Sequence, residues 1–180
     1  MTNKTYKKNT IEFDKCNERG SQTEELLYKI LIRDKKNGLV CDTRNNAFHI
    51  SIDTDFIIRR LDNIRELIRI ECKSDSVIHK YNNFFIEFEG TSKYTNSHCI
   101  GWYQIIEADY IYYYNEYEQF FYVFKVADLK EYVEANKDKL KIGKHDESEG
   151  NKIMKGYLVS IKKFAAKYSV YILNKKGEWV

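Results

Sequence analysis

Two short apolar segments constrain the fold of this chain more than any other feature. Residues 56–58 are Phe-Ile-Ile and follow Asp55, and residues 68–70 are Ile-Arg-Ile and run directly into Glu71, Cys72 and Lys73. Short runs of β-branched and aromatic residues with polar residues around them are typical of buried strands. We therefore expect two strands, one carrying Asp55 and the other ending in Glu71 and Lys73.

The residue types at the ends of these strands suit one kind of chemistry. Residues i and i+2 of a strand share a face, so Lys73 projects beside Glu71, while Cys72 faces the other way. Hard divalent cations prefer oxygen ligands, which makes Asp55 and Glu71 the expected ligands and leaves the Cys72 backbone carbonyl as a neutral one. Lys73 would orient a water or offset charge that builds on phosphorus. The set predicts a metal-dependent phosphodiesterase.

Length and charge place further bounds on the chain. Its 180 residues are enough to bury a core without disulfides or a structural metal. The sequence contains neither an apolar run of about 18 residues nor the apolar core of a signal peptide, so we expect a cytoplasmic protein without a membrane partner. The net charge of +3 is mild, and a nucleic acid would have to be bound by locally gathered positive charge.

The pattern along the chain predicts the order of its elements. Residues 1–15 are rich in lysine and lack periodicity, which predicts a flexible basic arm, and residues 16–180 form a single domain. Apolar residues at helical spacing predict a helix over residues 21–34. A meander of strands is predicted over residues 39–42, 48–60, 65–73 and 84–89, and two further strands over 108–114 and 120–126. A helix over 127–139 and a mobile loop over 141–155 follow, and the last predicted strands are 156–161 and 169–173. This order predicts the α+β class, with a central mixed sheet of four to six strands flanked by helices.

The order of these parts resembles the PD-(D/E)xK nuclease superfamily, in particular small phage-type nucleases and archaeal-type Holliday junction resolvases. The resemblance covers about residues 20–125 and is carried by residues 19–24 (RGSQTE), 53–58 (DTDFII) and 70–73 (IECK), with residues 83–87 and 108–112 matching phage members. It implies a restriction-endonuclease-like fold in a bacterial or phage-infected cell. It also implies that Asp55 and Glu71 hold the metal, that Glu24 adds a ligand from the first helix, and that Lys73 is catalytic.

Three alternatives stay open at the level of the sequence. The proline that often precedes the aspartate is missing, and Asp53 and Asp55 would share a strand face; we favour Asp55 because residues 56–58 continue as the buried strand. An acidic residue such as Glu24 in the first turn of a helix also favours the helix dipole without binding any ligand. The aromatic segment over residues 110–124 fits strand packing or a base-stacking platform, and we favour packing.

The resemblance implies a Mg²⁺-dependent DNA endonuclease that uses a metal-activated water, with Mn²⁺ as a substitute. Branched DNA is among the candidate substrates, and a junction enzyme would need a homodimer. Lys7 and Lys8 of the arm and Lys93 near the site are the expected phosphate contacts. Functions of other classes are a catalytically silent protein of this fold that binds DNA or a protein partner, such as a phage or defence-related inhibitor, and an interaction protein whose aromatic strand pairs with a partner. No feature of the sequence distinguishes RNA from DNA as the substrate.

Overall fold

The computed structural model describes residues 3–147 and 152–180, with side chains from residue 18 to 145 and from 152 onwards. Its helices are α1 (Asn3–Arg33), α2 (Ala47–Ser51), α3 (Ile78–Tyr81), α4 (Trp102–Ile105), α5 (Val126–Asn136) and α6 (Ile161–Ala165). Its strands are β1 (Asn37–Asp42), β2 (Phe56–Arg60), β3 (Ile68–Asp75), β4 (Asn83–Ser92), β5 (His98–Ile100), β6 (Tyr110–Asn115), β7 (Phe120–Lys125), β8 (Lys141–Glu147), β9 (Lys152–Ser160) and β10 (Tyr171–Asn174). In this part of the chain, no helix is long and apolar enough to cross a membrane.

A six-stranded mixed sheet forms the centre of the fold, in the order β1-β2-β3-β6-β7-β10. Neighbouring strands are antiparallel except β3 and β6, which run parallel and pair Glu71 with Ile111 and Lys73 with Tyr113. Parallel neighbours need a crossover connection, and here the chain between them passes through β4 and β5. The α+β class, with a central mixed sheet flanked by helices, is confirmed.

The segments that make the second sheet differ from the prediction. β4 was expected to continue the meander, yet it pairs with β9 from Asn83↔Ser160 to Ser92↔Lys152, in a sheet ordered β5-β4-β9-β8. Residues 141–147 and 152–155, predicted as a mobile loop, are strand residues. Their polar composition gives no strand pattern in the sequence, because a strand of this kind is stabilised mainly by its cross-strand partners. Residues 148–151 lie outside the described part.

Two further boundaries are corrected. α1 begins at Asn3 rather than near residue 21, so residues 3–15, expected to be an irregular arm, are helical. Extending an existing helix adds one hydrogen bond per residue, so packed turns can carry a polar extension that has no apolar periodicity. The strand predicted over residues 48–60 is divided into α2 and β2. The Asn46 side chain caps α2 by accepting from the Phe48 and His49 amides, and Asp53 turns the chain with a φ of 51°.

The central sheet buries a core on each face. On one face, α1 packs through Leu27, Ile30 and Leu31 against side chains of β2, β3, β6 and β7. On the other face lie α5, α6 and the inner side of β4, with Phe84, Ile86, Leu129 and Phe164 fully or almost fully buried. The tyrosines of β6 divide between these cores, Tyr112 and Tyr114 facing α1 and Tyr113 the second sheet. Packing, rather than a base-stacking platform, therefore accounts for them.

Candidate active site

The site begins where β2 and β3 separate. The last paired residues of the two strands are Phe56 and Ile70. Just beyond this pair, the Asp55 amide donates to the Ile70 carbonyl at 2.9 Å, and the Asp55 Oδ2 accepts from the Cys72 amide, also at 2.9 Å. The Asp55 carboxylate thus takes the place of the next backbone partner, and it fixes this aspartate against β3.

Glu71 and Lys73 lie on one face of β3, as strand alternation predicts. The Lys73 Nζ is 2.6 Å from the Glu71 Oε1 and 2.9 Å from the Asp53 Oδ2. Glu71 is only 3% exposed, so this ion pair is largely removed from water. Cys72 faces the α1 core on the opposite side, where its thiol is buried. The structure brings Asp55, Glu71 and Lys73 to one place.

The Cys72 carbonyl faces the gap between β2 and β3. Backbone groups of successive strand residues point to alternate sides, and the N–H and C=O of one residue point to the same side. The Cys72 amide donates towards Asp55, whereas Glu71 and Lys73 belong to the register with β6. The Cys72 carbonyl oxygen is therefore directed to the Asp55 side, as a neutral ligand would have to be.

Burial dominates the electrostatics of the carboxylates. Desolvation raises the pKa of Asp55, and it raises the pKa of Glu71 well above its ordinary value; Lys73 opposes the effect on both. Desolvation alone would lower the pKa of the Lys73 ammonium, but the Glu71 and Asp53 carboxylates outweigh it and raise the pKa. A cluster with more acids than bases is thus held out of water, which suits the capture of a cation.

Glu24 reaches the same region from α1. Burial and the nearby Asp55 carboxylate raise the pKa of Glu24, and its Oε2 lies 3.6 Å from an Arg44 nitrogen. Arg44 also pairs with Asp42 and Glu25, so it neutralises this end of the cluster. Because α1 begins at Asn3, Glu24 is not in a first turn, and the helix-dipole explanation is wrong.

The donor set fits a hard divalent cation in type. The Glu71 Oε2 is buried and has no hydrogen-bond partner within the described residues, and the Asp55 carboxylate lies near enough to raise the pKa of Glu71. An unpaired carboxylate oxygen away from water is costly unless a cation or proton satisfies it. As it stands, no group of three or more Asp, Glu, His or Cys side chains in residues 18–145 and 152–180 is arranged to hold a metal ion.

The sequence prediction misplaced one neighbour of Lys73 and missed another. Asp53 was expected on the strand face beside Asp55, but its left-handed backbone precedes β2 and turns its carboxylate onto Lys73. Trp102, from α4, places its ring 5.3 Å from the Lys73 Nζ. For Asp53, the sequence signal was the pair of aspartates in residues 53–55. For Trp102 no local pattern exists, because it arrives through the docking of α4 on β4.

The predicted phosphate contacts lie in the turn between β4 and β5 or outside the described side chains. Lys93 is exposed in the turn between β4 and β5. Lys7 and Lys8 lie in α1, and their side chains are outside the described part. Asp75 caps the turn before α3, accepting from the Val77 and Ile78 amides.

Gly101 allows α4 to lie close enough to β4 for Trp102 to reach the site. A Cβ at Gly101 would lie 2.4 Å from the Glu87 carbonyl carbon, and the Gly101 amide donates to the Phe88 carbonyl at 3.1 Å. Gly101→Ala is therefore expected to lower the free energy of unfolding by about 1–3 kcal/mol. Urea denaturation measures this change.

Gly20 provides the matched control for this prediction. It lies within α1, and apart from its chain neighbours and the backbone of its own helix no described atom lies within 4 Å of a Cβ built there. Gly20→Ala is expected to raise the free energy of unfolding by about 0.5–1 kcal/mol, because alanine loses less backbone entropy in a helix. Equal effects of the two substitutions would mean that β4 and α4 are not packed as described.

Comparisons with known proteins add little to this picture. No protein-family model matches the chain, and no curated protein matches it. A solved structure that does match is that of a bacterial homing endonuclease, I-Ssp6803I, with a TM-score of 0.43 and 16% identity over 61% of this chain and 68% of that chain. A similarity of this size assigns neither family nor function, so membership in the PD-(D/E)xK superfamily is a resemblance of the sequence.

Proposed function

We propose that the protein is a metal-dependent DNA endonuclease of the PD-(D/E)xK type. The observation that carries the proposal is the convergence of Asp55, Glu71 and Lys73 at the point where β2 and β3 separate, with a buried Glu71 Oε2 that has no hydrogen-bond partner in the part of the chain that the structure describes. A buried acid cluster beside one lysine is costly to a fold and is typical of sites that bind a cation and handle phosphate.

Mg²⁺ is the proposed cofactor, with Mn²⁺ as a substitute. Asp55, Glu71 and the Cys72 carbonyl would hold it, and Glu24 would add a carboxylate from α1 after a change of partner from Arg44. When bound, such an ion polarises a phosphoryl oxygen and lowers the pKa of a water. The ion would also satisfy the unpaired Glu71 oxygen.

Lys73 supplies the positive charge that meets the phosphate. Its raised pKa keeps the ammonium protonated, so it donates hydrogen bonds and does not act as a base. Charge develops on the phosphoryl oxygens as the bond to the leaving oxygen breaks, and a donor held in place stabilises this charge more than water does. The hydrogen bond from the Cys72 amide fixes the Asp55 carboxylate against β3, the strand that carries Lys73, and so holds the two side chains in a constant relative position.

The substrate is proposed to be DNA, bound through lysines outside the cluster. Lys93 stands exposed on the β4–β5 turn, and Lys7 and Lys8 belong to the long basic start of α1. Such residues contact phosphates without reading bases. Cleavage of branched DNA would in addition require a homodimer, so that two sites meet two strands.

The first experiment compares cleavage of labelled duplex, single-stranded and four-way-junction DNA in Mg²⁺, Mn²⁺ or EDTA. The wild-type chain is expected to cut at least one of these forms with either metal and none of them in EDTA, because the proposed reaction needs the metal ion to polarise the phosphoryl oxygen and to lower the pKa of the water. Glu71→Ala, purified in parallel, is expected to be inactive and shows that no contaminating nuclease is present. Metal-independent cutting, or equal cutting by Glu71→Ala, would contradict the proposal. Binding of DNA or a protein without cleavage would instead identify a catalytically silent protein of this fold.

A further inference from the structure

We propose that Asp53 and Trp102 form a clamp that positions Lys73, and that Asp53 is not a metal ligand. The inference rests on the proposed function, since Lys73 is the residue proposed to meet the phosphate. It divides the two aspartates of residues 53–55 between two tasks: Asp55 belongs to the metal side of the site, and Asp53 belongs to the lysine side. The two members of the Lys73 clamp come from separate parts of the fold.

Asp53 is held in place by its backbone. It adopts a φ of 51°, in the left-handed region that aspartate tolerates better than most residues. Its amide donates to the Ile50 carbonyl at 3.3 Å, and the next amide, of Thr54, donates to the His49 carbonyl at 3.0 Å. These bonds tie the loop to α2, so the Asp53 Oδ2 is presented to the Lys73 Nζ at 2.9 Å by a fixed turn.

Trp102 closes another side of the ammonium. Its ring centroid lies 5.3 Å from the Lys73 Nζ, within the range of a cation–π contact, and the residue is only 9% exposed. The Trp102 carbonyl accepts from the Ile106 amide at 3.0 Å, and the Lys130 Nζ donates to the Ile106 carbonyl at 2.8 Å. The ring is therefore carried by a turn that is fastened to α5 and has little freedom to swing away.

The clamp limits where a flexible side chain can point. A lysine has four methylene groups and a compact charge, so its position must be set by its surroundings. The Lys73 ammonium lies at ion-pair distance from the Glu71 and Asp53 carboxylates, and the Trp102 ring covers another direction. A phosphoryl oxygen would approach the ammonium from the side that these three groups leave open. If Glu71 turned towards a metal ion, Asp53 and Trp102 would still hold Lys73.

Asp53→Asn tests the clamp directly. Asparagine keeps the left-handed turn but removes the charge that faces Lys73. We expect kcat to fall by about 10- to 100-fold, as when a group that orients a functional residue is removed, with KM for DNA and the affinity for Mn²⁺ close to the wild-type values. The matched control is Asp62→Asn, an exposed aspartate that pairs with Arg60 at the far end of β2 and should leave all three quantities unchanged.

Fluorescence provides a readout that does not depend on cleavage. The chain has two tryptophans, so Trp179→Phe leaves Trp102 as the single emitter. In this background, Lys73→Met and Asp53→Asn are both expected to change the emission of Trp102, and Asp62→Asn is expected to leave it unchanged. Trp102→Phe keeps a ring face and should retain most of the activity, whereas Trp102→Leu should lower kcat as Asp53→Asn does.

Each outcome decides the inference. Loss of Mn²⁺ binding in Asp53→Asn, to the extent seen in Asp55→Asn, would make Asp53 a ligand and overturn the clamp. Wild-type kcat in Asp53→Asn would overturn it as well. If the wild-type chain cuts no DNA, the proposed function fails and fluorescence alone decides: a change of Trp102 emission in both Lys73→Met and Asp53→Asn supports the contacts of the clamp, and unchanged emission in either overturns them.

Discussion

DNA cleavage by Lys73→Met is expected to be about 10²- to 10³-fold slower than cleavage by the wild type, the loss found when one positioned donor to developing charge is removed. Methionine fills a similar volume but can neither donate a hydrogen bond nor carry charge. The loss should appear in kcat at saturating DNA and metal, because Lys73 is proposed to act on the transition state more than on binding. Single-turnover cleavage of a labelled duplex measures it.

Stability must be measured beside activity for this variant. Lys73 is the partner of Glu71, and removing one member of a buried ion pair costs about 3–5 kcal/mol when the other charge stays buried. The double variant Lys73→Met with Glu71→Gln removes both charges and should recover most of the lost stability while staying inactive. Lys35→Met, at an exposed position after α1, is the control and should cleave DNA normally. An active double variant would show that the cluster is not the site.

The part of the site that could be predicted from the sequence is the part that obeys strand alternation. Glu71 and Lys73 share a face of β3 because they are two residues apart, and Asp55 lies beside them because β2 and β3 stay paired as far as Phe56, the residue that follows it. Asp53 could not be placed correctly in this way. Strand alternation assumes an extended backbone. Asp53 has a positive φ and lies in the turn before β2, so the assumption does not hold there.

Trp102 and the second sheet show the other limit of sequence reasoning. Trp102 reaches Lys73 only because α4 docks on β4, and that approach depends on the missing side chain of Gly101. Likewise, β8 has few apolar residues and is ordered by its pairing with β9. Contacts between segments far apart in sequence decide both features, and no local periodicity encodes them.

The effect of a divalent cation on stability is expected to depend on Asp55. A ligand that binds only the folded chain stabilises it by about 2.7 kcal/mol at a concentration 100-fold above its Kd. For a chain of this size, that corresponds to a rise in Tm of about 5–10 °C. Mn²⁺ should produce such a rise in the wild type, even under conditions where no DNA is present. Asp55→Asn should abolish it, because the amide is a poor ligand in place of a carboxylate.

Without metal, Asp55→Asn is expected to be more stable than the wild type. Asparagine can still accept from the Cys72 amide, while the repulsion with Glu71 and the desolvation of a charge disappear. Burial raises the pKa of Asp55, so the folded wild type binds more protons than the unfolded chain, and its stability falls as pH rises from the ordinary value of 3.8 towards the raised pKa. The advantage of Asp55→Asn should therefore grow over that range and then level off.

Thermal unfolding of Asp55→Asn, Asp62→Asn and wild type in EDTA and in Mn²⁺, from acidic to neutral pH, tests both expectations together. Asp62 is exposed and its pKa is lowered, first of all by its hydrogen bond from Arg60, so Asp62→Asn should keep the metal response and show no advantage that grows with pH. If Mn²⁺ still raises the Tm of Asp55→Asn, the cation does not bind at the Asp55 end of β2. If Asp55→Asn is less stable than the wild type in EDTA, the Asp55 carboxylate stabilises the fold and its role is structural. If Asp55→Asn is more stable, the carboxylate destabilises the metal-free fold, which is the expected cost of a binding site.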